Sequence, residues 1–251
     1  MNDSLNERDN ETPDQEIREE NAKPKTKTKL TTDKKLRHTV ATALFVALAY
    51  LAMFVFRIQV AGLLTFDLKD AVMCVGAFWL GPIAGVLMTA LVALLEFLTV
   101  SSTGPYGLLM NFLSSASFVL AASVIFRIRR TRLSAIVGLI AAIPFMTAVM
   151  MVANLFITPL YTGMTTEDVA NKIPTLLLPF NLVKATLNAA ITALLFQPVR
   201  TALHRVKIVE ADLAPAPKRR AWLVPAVAAL IAVASCLVFF FVLDGEFSWL
   251  R

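Results

Sequence analysis

The sequence predicts an all-α transmembrane protein, in which six helices form a bundle and one further helix follows toward the carboxyl terminus. Composition supports this prediction first: 57% of the residues are hydrophobic and the mean hydropathy is +0.67, whereas soluble domains are about 45–50% apolar. The apolar residues also form long runs, and about 20 such residues suffice to cross a bilayer as a helix. These runs cover residues 39–56, 71–95, 107–126, 134–160, 175–200 and 222–243.

The segment that precedes the first apolar run differs from the rest of the chain. It opens acidic, with NERDNETPDQEIREE, and turns basic, with KPKTKTKLTTDKK. A segment with many charges and few large apolar residues cannot bury enough surface to fold. We therefore predict that residues 1–36 form a disordered, charged tail on the cytoplasmic side of the membrane. Its lysines either flank the first helix as topology-setting charge or touch anionic lipid head groups.

The run 71–95 contains Gly81 followed by Pro82, a pair that interrupts helices. One kinked span or a hairpin of two short helices would both fit this run. Basic clusters decide between them, because cytoplasmic loops carry an excess of Lys and Arg. Only a hairpin that turns at Gly81 and Pro82 brings all the basic clusters that flank the membrane spans to one side of the membrane. These clusters lie at 34–38, 127–132, 204–207 and 217–220.

This topology predicts a multi-pass protein of the cell membrane, with its amino terminus in the cytoplasm and its carboxyl terminus outside. The loops left outside, RIQVAGLLTFDLKD, TVSSTGPYG and YTGMTTEDVANK, are polar and rich in Gly and Thr. Polar loops gathered on one side favour a ligand-binding mouth. We predict a six-helix substrate-binding domain over 37–205, a linker over 206–221 and an additional transmembrane helix over 222–243.

Polar residues at membrane depth are costly, so each is a candidate functional residue. Lys184 is the most costly, at about 2.5–3.5 kcal/mol or more. It shares a helix face with Asn181, so this face should point into the bundle. Lys184 has two alternatives to a functional role: a structural ion pair with Glu96, or snorkelling of its side chain to the membrane interface. The full set within the six helices is Glu96, Asn111, Asn154, Asn181, Lys184 and Asn188, preceded by Asp67, Lys69 and Asp70.

The sequence carries none of the motifs that would indicate catalysis. It has no phosphate-binding loop, no H-E-x-x-H, no G-x-S-x-G and no pair of acids on one helix face. We therefore predict that the chain is not an enzyme, holds no cofactor or metal, and depends on another subunit for any use of ATP. The net charge of +6 reflects membrane orientation, and no nucleic-acid partner is expected.

Small residues form a stripe on the first helix. Thr39, Ala43 and Ala47 recur every four residues, and such stripes let helices approach closely. Ordinary packing inside the bundle is the alternative to a docking surface.

The segments LLTFDLKDAVMCVGAFWLGPIAG and EFLTVSSTGPYGLLMNFLSS, followed by MMVANLFITPLY and LLPFNLVKATLNAAIT, resemble the riboflavin-specific substrate-binding (S) component of energy-coupling factor (ECF) vitamin transporters. The resemblance covers residues 37–205 in order. It implies a six-helix S-component bundle that captures riboflavin from outside, for ATP-driven uptake by a separate energising module of one membrane scaffold and two ATPases. The segment 1–36 and the helix 222–243 lie outside this family core.

The resemblance also implies roles for particular residues. Asn154, Asn181 and Lys184 match positions that hydrogen-bond the flavin. Leu64, Thr65 and Asp67 match the loop that covers the pocket, and Ala43 with Ala47 match the stripe that docks on the energising module. For Glu96, contact with the ribityl hydroxyls and pairing with Lys184 both remain open. Asn188 matches no motif, and we predict that it hydrogen-bonds a neighbouring helix.

Two other functions stay open at this stage. An S component for another vitamin, or for a flavin such as flavin mononucleotide (FMN), would share the same architecture. An autonomous secondary carrier would also be a helical membrane bundle without catalytic motifs.

Overall fold

The computed structural model of the chain describes residues 25–60, 64–101, 103–205, 223–241 and 246–247. Most of these residues are helical, and the predicted fold class is confirmed. A π-helical turn, Ile173–Leu177, leads directly into the long helix α7. The α-helices are α1 (Lys25–Val55), α2 (Lys69–Leu80), α3 (Pro82–Thr99), α4 (Gly104–Arg129), α5 (Arg132–Thr162), α6 (Thr166–Lys172), α7 (Leu178–Arg205) and α8 (Leu223–Phe241), and the strands are β1 (Arg57–Val60), β2 (Leu64–Asp67) and β3 (Glu246–Phe247).

Helix α1 begins earlier than the composition indicates. Residues 25–36, which we predicted to be disordered, are helical in the structure, whereas 1–24 lie outside the described residues. From Lys25 to the apolar run, the sequence is rich in Lys and Thr and contains no Gly or Pro. No residue there breaks the helix. The chain divides into two compact units, Met1–Thr39 and Val40–Arg251, and the site lies wholly within the second.

The predicted turn at Gly81 is confirmed. Gly81 has φ +98°, and a Cβ there would lie 2.7 Å from the Arg127 guanidinium. Helices α2 and α3 fold back on each other, since a Cβ on Gly85 would lie 2.7 Å from the Cβ of Ala77. The turn therefore lies beside the basic segment 127–132, as the hairpin topology requires.

The two arms of this hairpin differ in length. Helix α2 has 12 residues, about 18 Å at 1.5 Å per residue, which is short of the roughly 30 Å hydrocarbon core. Among the described residues, five segments are long and apolar enough to cross a membrane, and 224–238 is a shorter apolar helix. Helix α2 is therefore the short arm of the predicted hairpin of two short helices, and its polar residues begin at Lys69 and Asp70, where α2 starts.

Apolar side chains divide between a protein core and an outer surface. Met88, Phe118 and Met146 are fully buried, whereas Leu44 and Leu51 on α1 are exposed. Near the turn of the hairpin, Phe78, Phe126 and Phe196 form a cluster with ring centroids 4.8–5.9 Å apart. This cluster packs α2, α4 and α7 together at the end opposite Lys69.

A small antiparallel sheet lies where a loop was predicted. Strands β1 and β2 pair with Ile58 opposite Phe66 and Gln59 opposite Thr65, and β3 pairs with the other edge of β1. The sequences RIQV and LTFD alternate polar and apolar residues, a pattern that suits strands with one buried face. The sheet matters for function because β2 lies over the cavity described next.

Candidate functional site

A polar-lined cavity lies beneath β2 and is enclosed by α3, α4, α5 and α7. Its walls combine apolar surface from methionine and phenylalanine with hydroxyl, amide and charged groups. Such a combination suits a ligand with a flat apolar part and several polar groups. The lining residues are Arg57, Leu64, Thr65, Glu96, Ser101, Thr103, Gly107, Met110, Asn111, Ser114, Met150, Asn154, Tyr161, Phe180, Asn181 and Lys184.

Two amides stand on one side of this cavity, one on α5 and one on α7. The Asn154 Nδ2 donates to the Met150 carbonyl at 2.7 Å, and its Oδ1 accepts from Thr158 at 3.0 Å. The Asn181 Nδ2 donates to the Leu177 carbonyl at 2.8 Å. Both side chains are 2% exposed. Each amide is thus held by its own helix while it faces the cavity, which fixes its direction before any ligand arrives.

Lys184 points into the bundle, as the shared face with Asn181 predicted. It is 4% exposed, and its Nζ donates to the Thr65 carbonyl at 3.4 Å. This contact joins α7 to β2, two elements that are far apart in sequence. Snorkelling of Lys184 to the interface, the alternative considered above, does not occur.

Glu96 is paired, but its partner is Lys69. The Lys69 Nζ lies 2.7 Å from the Glu96 Oε2 and 2.8 Å from the Asp67 Oδ2. We call Asp67, Lys69 and Glu96 the ion cluster; all three are buried. The predicted alternative that Glu96 pairs with Lys184 is therefore wrong. Lys69 begins α2, and this puts its ammonium nearer to Glu96 than that of Lys184.

Asp67 differs from the other candidate site residues because it is not among those that line the cavity. Its carboxylate accepts from both the backbone N–H and the side chain of Lys69. Burial alone would raise the pKa of the Asp67 carboxyl, but the ammonium groups of Lys69 and Lys184 hold this pKa below its usual value. Asp67 thus anchors β2 to the start of α2 instead of facing the cavity directly.

A second group of polar residues comprises Ser114, which lines the cavity, and side chains that do not line it. The Ser115 hydroxyl donates to Asp70 Oδ1, whereas Asp70 Oδ2 and the Ser114 Oγ have no hydrogen-bond partner among the described residues. The Asn188 amide, which is fully buried, also has no partner there. The interhelical hydrogen bond predicted for Asn188 is therefore absent from the described part of the structure.

The structure brings together six of the seven predicted substrate-binding residues around one cavity: Leu64, Thr65, Glu96, Asn154, Asn181 and Lys184. Their contact with a ligand stays a prediction. Sequence reasoning did not assign the lining residues Arg57, Ser114 and Tyr161, nor Lys69 beneath them. A usable signal existed for α4, since Asn111, Ser114 and Ser115 are spaced by three and four residues on one helix face.

The stripe on α1 lies partly on the surface of the protein. Ala43 and Ala47 are exposed, whereas Ala41 and Ala49 are buried. The exposed alanines are flanked by Leu44, at 55% exposure. The stripe is thus available to another helix, and ordinary packing inside this bundle does not explain it.

The cavity offers hydrogen bonds and charge rather than reactive groups. No set of three or more His, Cys, Asp or Glu residues within the described ranges could hold a metal ion. Arg57 and Lys184 supply donors, Glu96 supplies an acceptor, and the amides supply both. This arrangement suits the recognition of a polar ligand.

Three comparisons with known proteins agree with this geometry. A family model for the substrate-specific component of ECF transporters matches residues 37–199. The chain is 33% identical over 150 residues to the riboflavin transporter RibU of Staphylococcus aureus (strain TCH60), which covers 57% of this chain and 78% of that protein. A solved structure, that of the S component of a bacterial ECF transporter, matches with a TM-score of 0.59 at 30% identity, covering 67% of this chain and 98% of the other.

Proposed function

The chain belongs to the substrate-specific components of ECF transporters, and on that premise we propose that it binds riboflavin in the cavity beneath β2. The observation that carries this proposal is the convergence of Asn154, Asn181 and Lys184 on one cavity. These residues come from two helices, and together they offer two amides and one ammonium. The similarity to a riboflavin transporter supports the same ligand.

Riboflavin has three chemical parts that suit this cavity. Its isoalloxazine ring is flat and largely apolar, and Phe180, Met110 and Met150 offer apolar surface. The pyrimidine edge carries both donors and acceptors, which amides such as Asn154 and Asn181 match. The ribityl chain carries hydroxyl groups. Binding needs no cofactor, because the vitamin itself is the ligand.

The proposed direction of transport is inward. The basic segments 34–38, 127–132 and 204–207 favour a cytoplasmic location for the α2–α3 turn and for the amino terminus. The cavity lies at the other end of α2, under the sheet, and so would open to the outside. The helix 223–241 would then place the carboxyl terminus outside, beyond the six-helix substrate-binding domain.

Uptake would need partners that use ATP. We propose that the partners are an ECF scaffold subunit in the membrane and two ATPase subunits, with the exposed Ala43 and Ala47 as the contact. Ala43→Trp or Ala47→Trp should abolish uptake in cells that express the complete transporter and leave riboflavin binding unchanged. Ile140→Trp on the exposed surface of α5 is the matched control. Normal uptake by the Ala47→Trp variant would contradict the docking role.

The binding proposal is tested with purified protein in detergent. The protein should quench riboflavin fluorescence in a saturable, one-to-one titration, and thiamine or biotin should not compete. A preparation that is folded by circular dichroism yet neither carries a flavin nor quenches added riboflavin would refute the proposal. Competition by another vitamin would point to an S component with that specificity instead.

A further inference from the structure

The cavity has two sides of different chemistry. The α5 and α7 side presents amides and an ammonium, from Asn154, Asn181 and Lys184. The α3 and α4 side presents a carboxylate, a hydroxyl and a further amide, from Glu96, Ser114 and Asn111. If the amides meet the pyrimidine edge, the ribityl chain extends toward the α3 and α4 side. The end of that chain carries the 5′ hydroxyl in riboflavin and a phosphate in FMN.

Glu96 has one carboxylate oxygen to spare. Its Oε2 accepts from the Lys69 Nζ at 2.7 Å, whereas its Oε1 accepts no hydrogen bond from any described residue. Glu96 lines the cavity and is 3% exposed. A carboxylate oxygen accepts well from a hydroxyl group, but it can only repel a phosphate oxygen.

Charged side chains of both signs stand at the cavity, and Arg57, Lys184 and Glu96 line it. Lys184 donates to the Thr65 carbonyl, and Arg57 also has a partner. Lys69, which does not line the cavity, binds the carboxylates of Asp67 and Glu96. A phosphate placed beside Glu96 would add about 1.5–2 negative charges next to its carboxylate.

We propose that Glu96 makes this site select flavins that lack a phosphate, by accepting a hydrogen bond from the ribityl chain and repelling the phosphate of FMN. Lys69 is a positioning residue in this proposal, because it binds the Glu96 Oε2 and leaves the Oε1 for the ligand. The inference rests on the proposed binding of riboflavin. It assigns specificity to one carboxylate whose contact with the ribityl hydroxyls the resemblance left open.

The test compares dissociation constants of the purified protein for riboflavin, FMN and riboflavin 5′-acetate, all by fluorescence quenching. The wild-type protein should bind FMN at least about tenfold more weakly than riboflavin, and the uncharged acetate should bind more tightly than FMN. In the Glu96→Gln variant, the ratio of the dissociation constant for FMN to that for riboflavin should fall toward one by about tenfold. Glu96→Asp, which keeps the charge, should retain most of the discrimination.

Glu167→Gln, the same substitution at an exposed position on α6, is the matched control and should leave the ratio unchanged. Equal binding of FMN and riboflavin by the wild-type protein would overturn the inference. Equally weak binding of FMN and riboflavin 5′-acetate would also overturn it, because it would show that the site discriminates by size and not by charge. These two measurements need no variant. A Glu96→Gln protein that binds riboflavin with an unaltered ratio would also overturn it. Absence of riboflavin binding in the wild type would refute the proposed function itself.

Discussion

The two sides of the cavity are held in place by different kinds of contact. On the amide side, Asn154 and Asn181 donate to carbonyls four residues earlier in their own helices. On the carboxylate side, the ion cluster joins β2, α2 and α3, and Lys69 is 27 residues from Glu96 in sequence. The first side presents groups that their own helix supports. The second side presents a group whose position depends on the tertiary fold, so damage there should reach beyond ligand binding.

The strongest test of this comparison is Lys69→Met. Removal of the ammonium leaves Asp67 and Glu96 buried without their shared partner, which should cost about 3–5 kcal/mol of stability. Thermal unfolding in detergent measures the loss, and Lys35→Met at an exposed position on α1 is the control. The triple variant with Asp67→Asn and Glu96→Gln should recover much of the stability. A Lys69→Met protein as stable as the wild type would show that the cluster does not hold these elements together.

Lys184→Ala should have the next largest effect, mainly on the ligand. A hydrogen bond to a charged group contributes about 1.5–3 kcal/mol, so riboflavin affinity should fall by about tenfold to a hundredfold. The contact with the Thr65 carbonyl is long, at 3.4 Å, so its loss should affect stability little. Fluorescence titration gives the affinity and circular dichroism the fold. An unfolded variant would place Lys184 with the structural charges of the ion cluster.

Asn181→Leu should weaken riboflavin binding by about twofold to tenfold, since a neutral hydrogen bond contributes about 0.5–1.5 kcal/mol. The thermal midpoint should change little, because among the described residues the amide donates to the Leu177 carbonyl, four residues earlier in sequence. Affinity equal to that of the wild type would exclude Asn181 from the ligand contacts.

Asn188→Leu is the matched change on the same helix and should have the smallest effect. Asn188 is fully buried and its amide has no partner among the described residues. Replacing an unpaired buried amide with an apolar side chain is neutral or stabilising. Riboflavin affinity should stay within about twofold of the wild type, and the thermal midpoint should hold or rise. A tenfold loss of affinity would place Asn188 within the site.

Prediction from sequence succeeded where the signal was local. The apolar runs, the turn at Gly81 and the shared face of Asn181 and Lys184 were each visible in a short stretch of chain. The starts of helices were less accessible: α1 begins at Lys25 and α2 at Lys69, because charged residues continue a helix without altering the apolar pattern. The strands β1 and β2 were missed, since each has only 4 residues.

The choice of charge partners shows most clearly what lay beyond the sequence. Lys69 and Lys184 both lie toward the amino-terminal end of a helix, but only Lys184 was considered from the sequence as a partner for Glu96. Coulomb attraction depends on separations of a few ångströms and on burial, and helix packing sets both. The sheet also affects the choice, because the Thr65 carbonyl on β2 accepts from Lys184.

The sequence by itself determined that this protein is a membrane bundle, where the α2–α3 hairpin turns, and which polar residues had to face inward. Those features follow from the transfer of each segment between water and lipid, a property of local composition. Only the tertiary structure decided that Glu96 binds Lys69, that Asp67 anchors β2 instead of facing the cavity, and that Ser114 and Tyr161 join its lining. Those outcomes depend on distances between helices, which no single stretch of sequence contains.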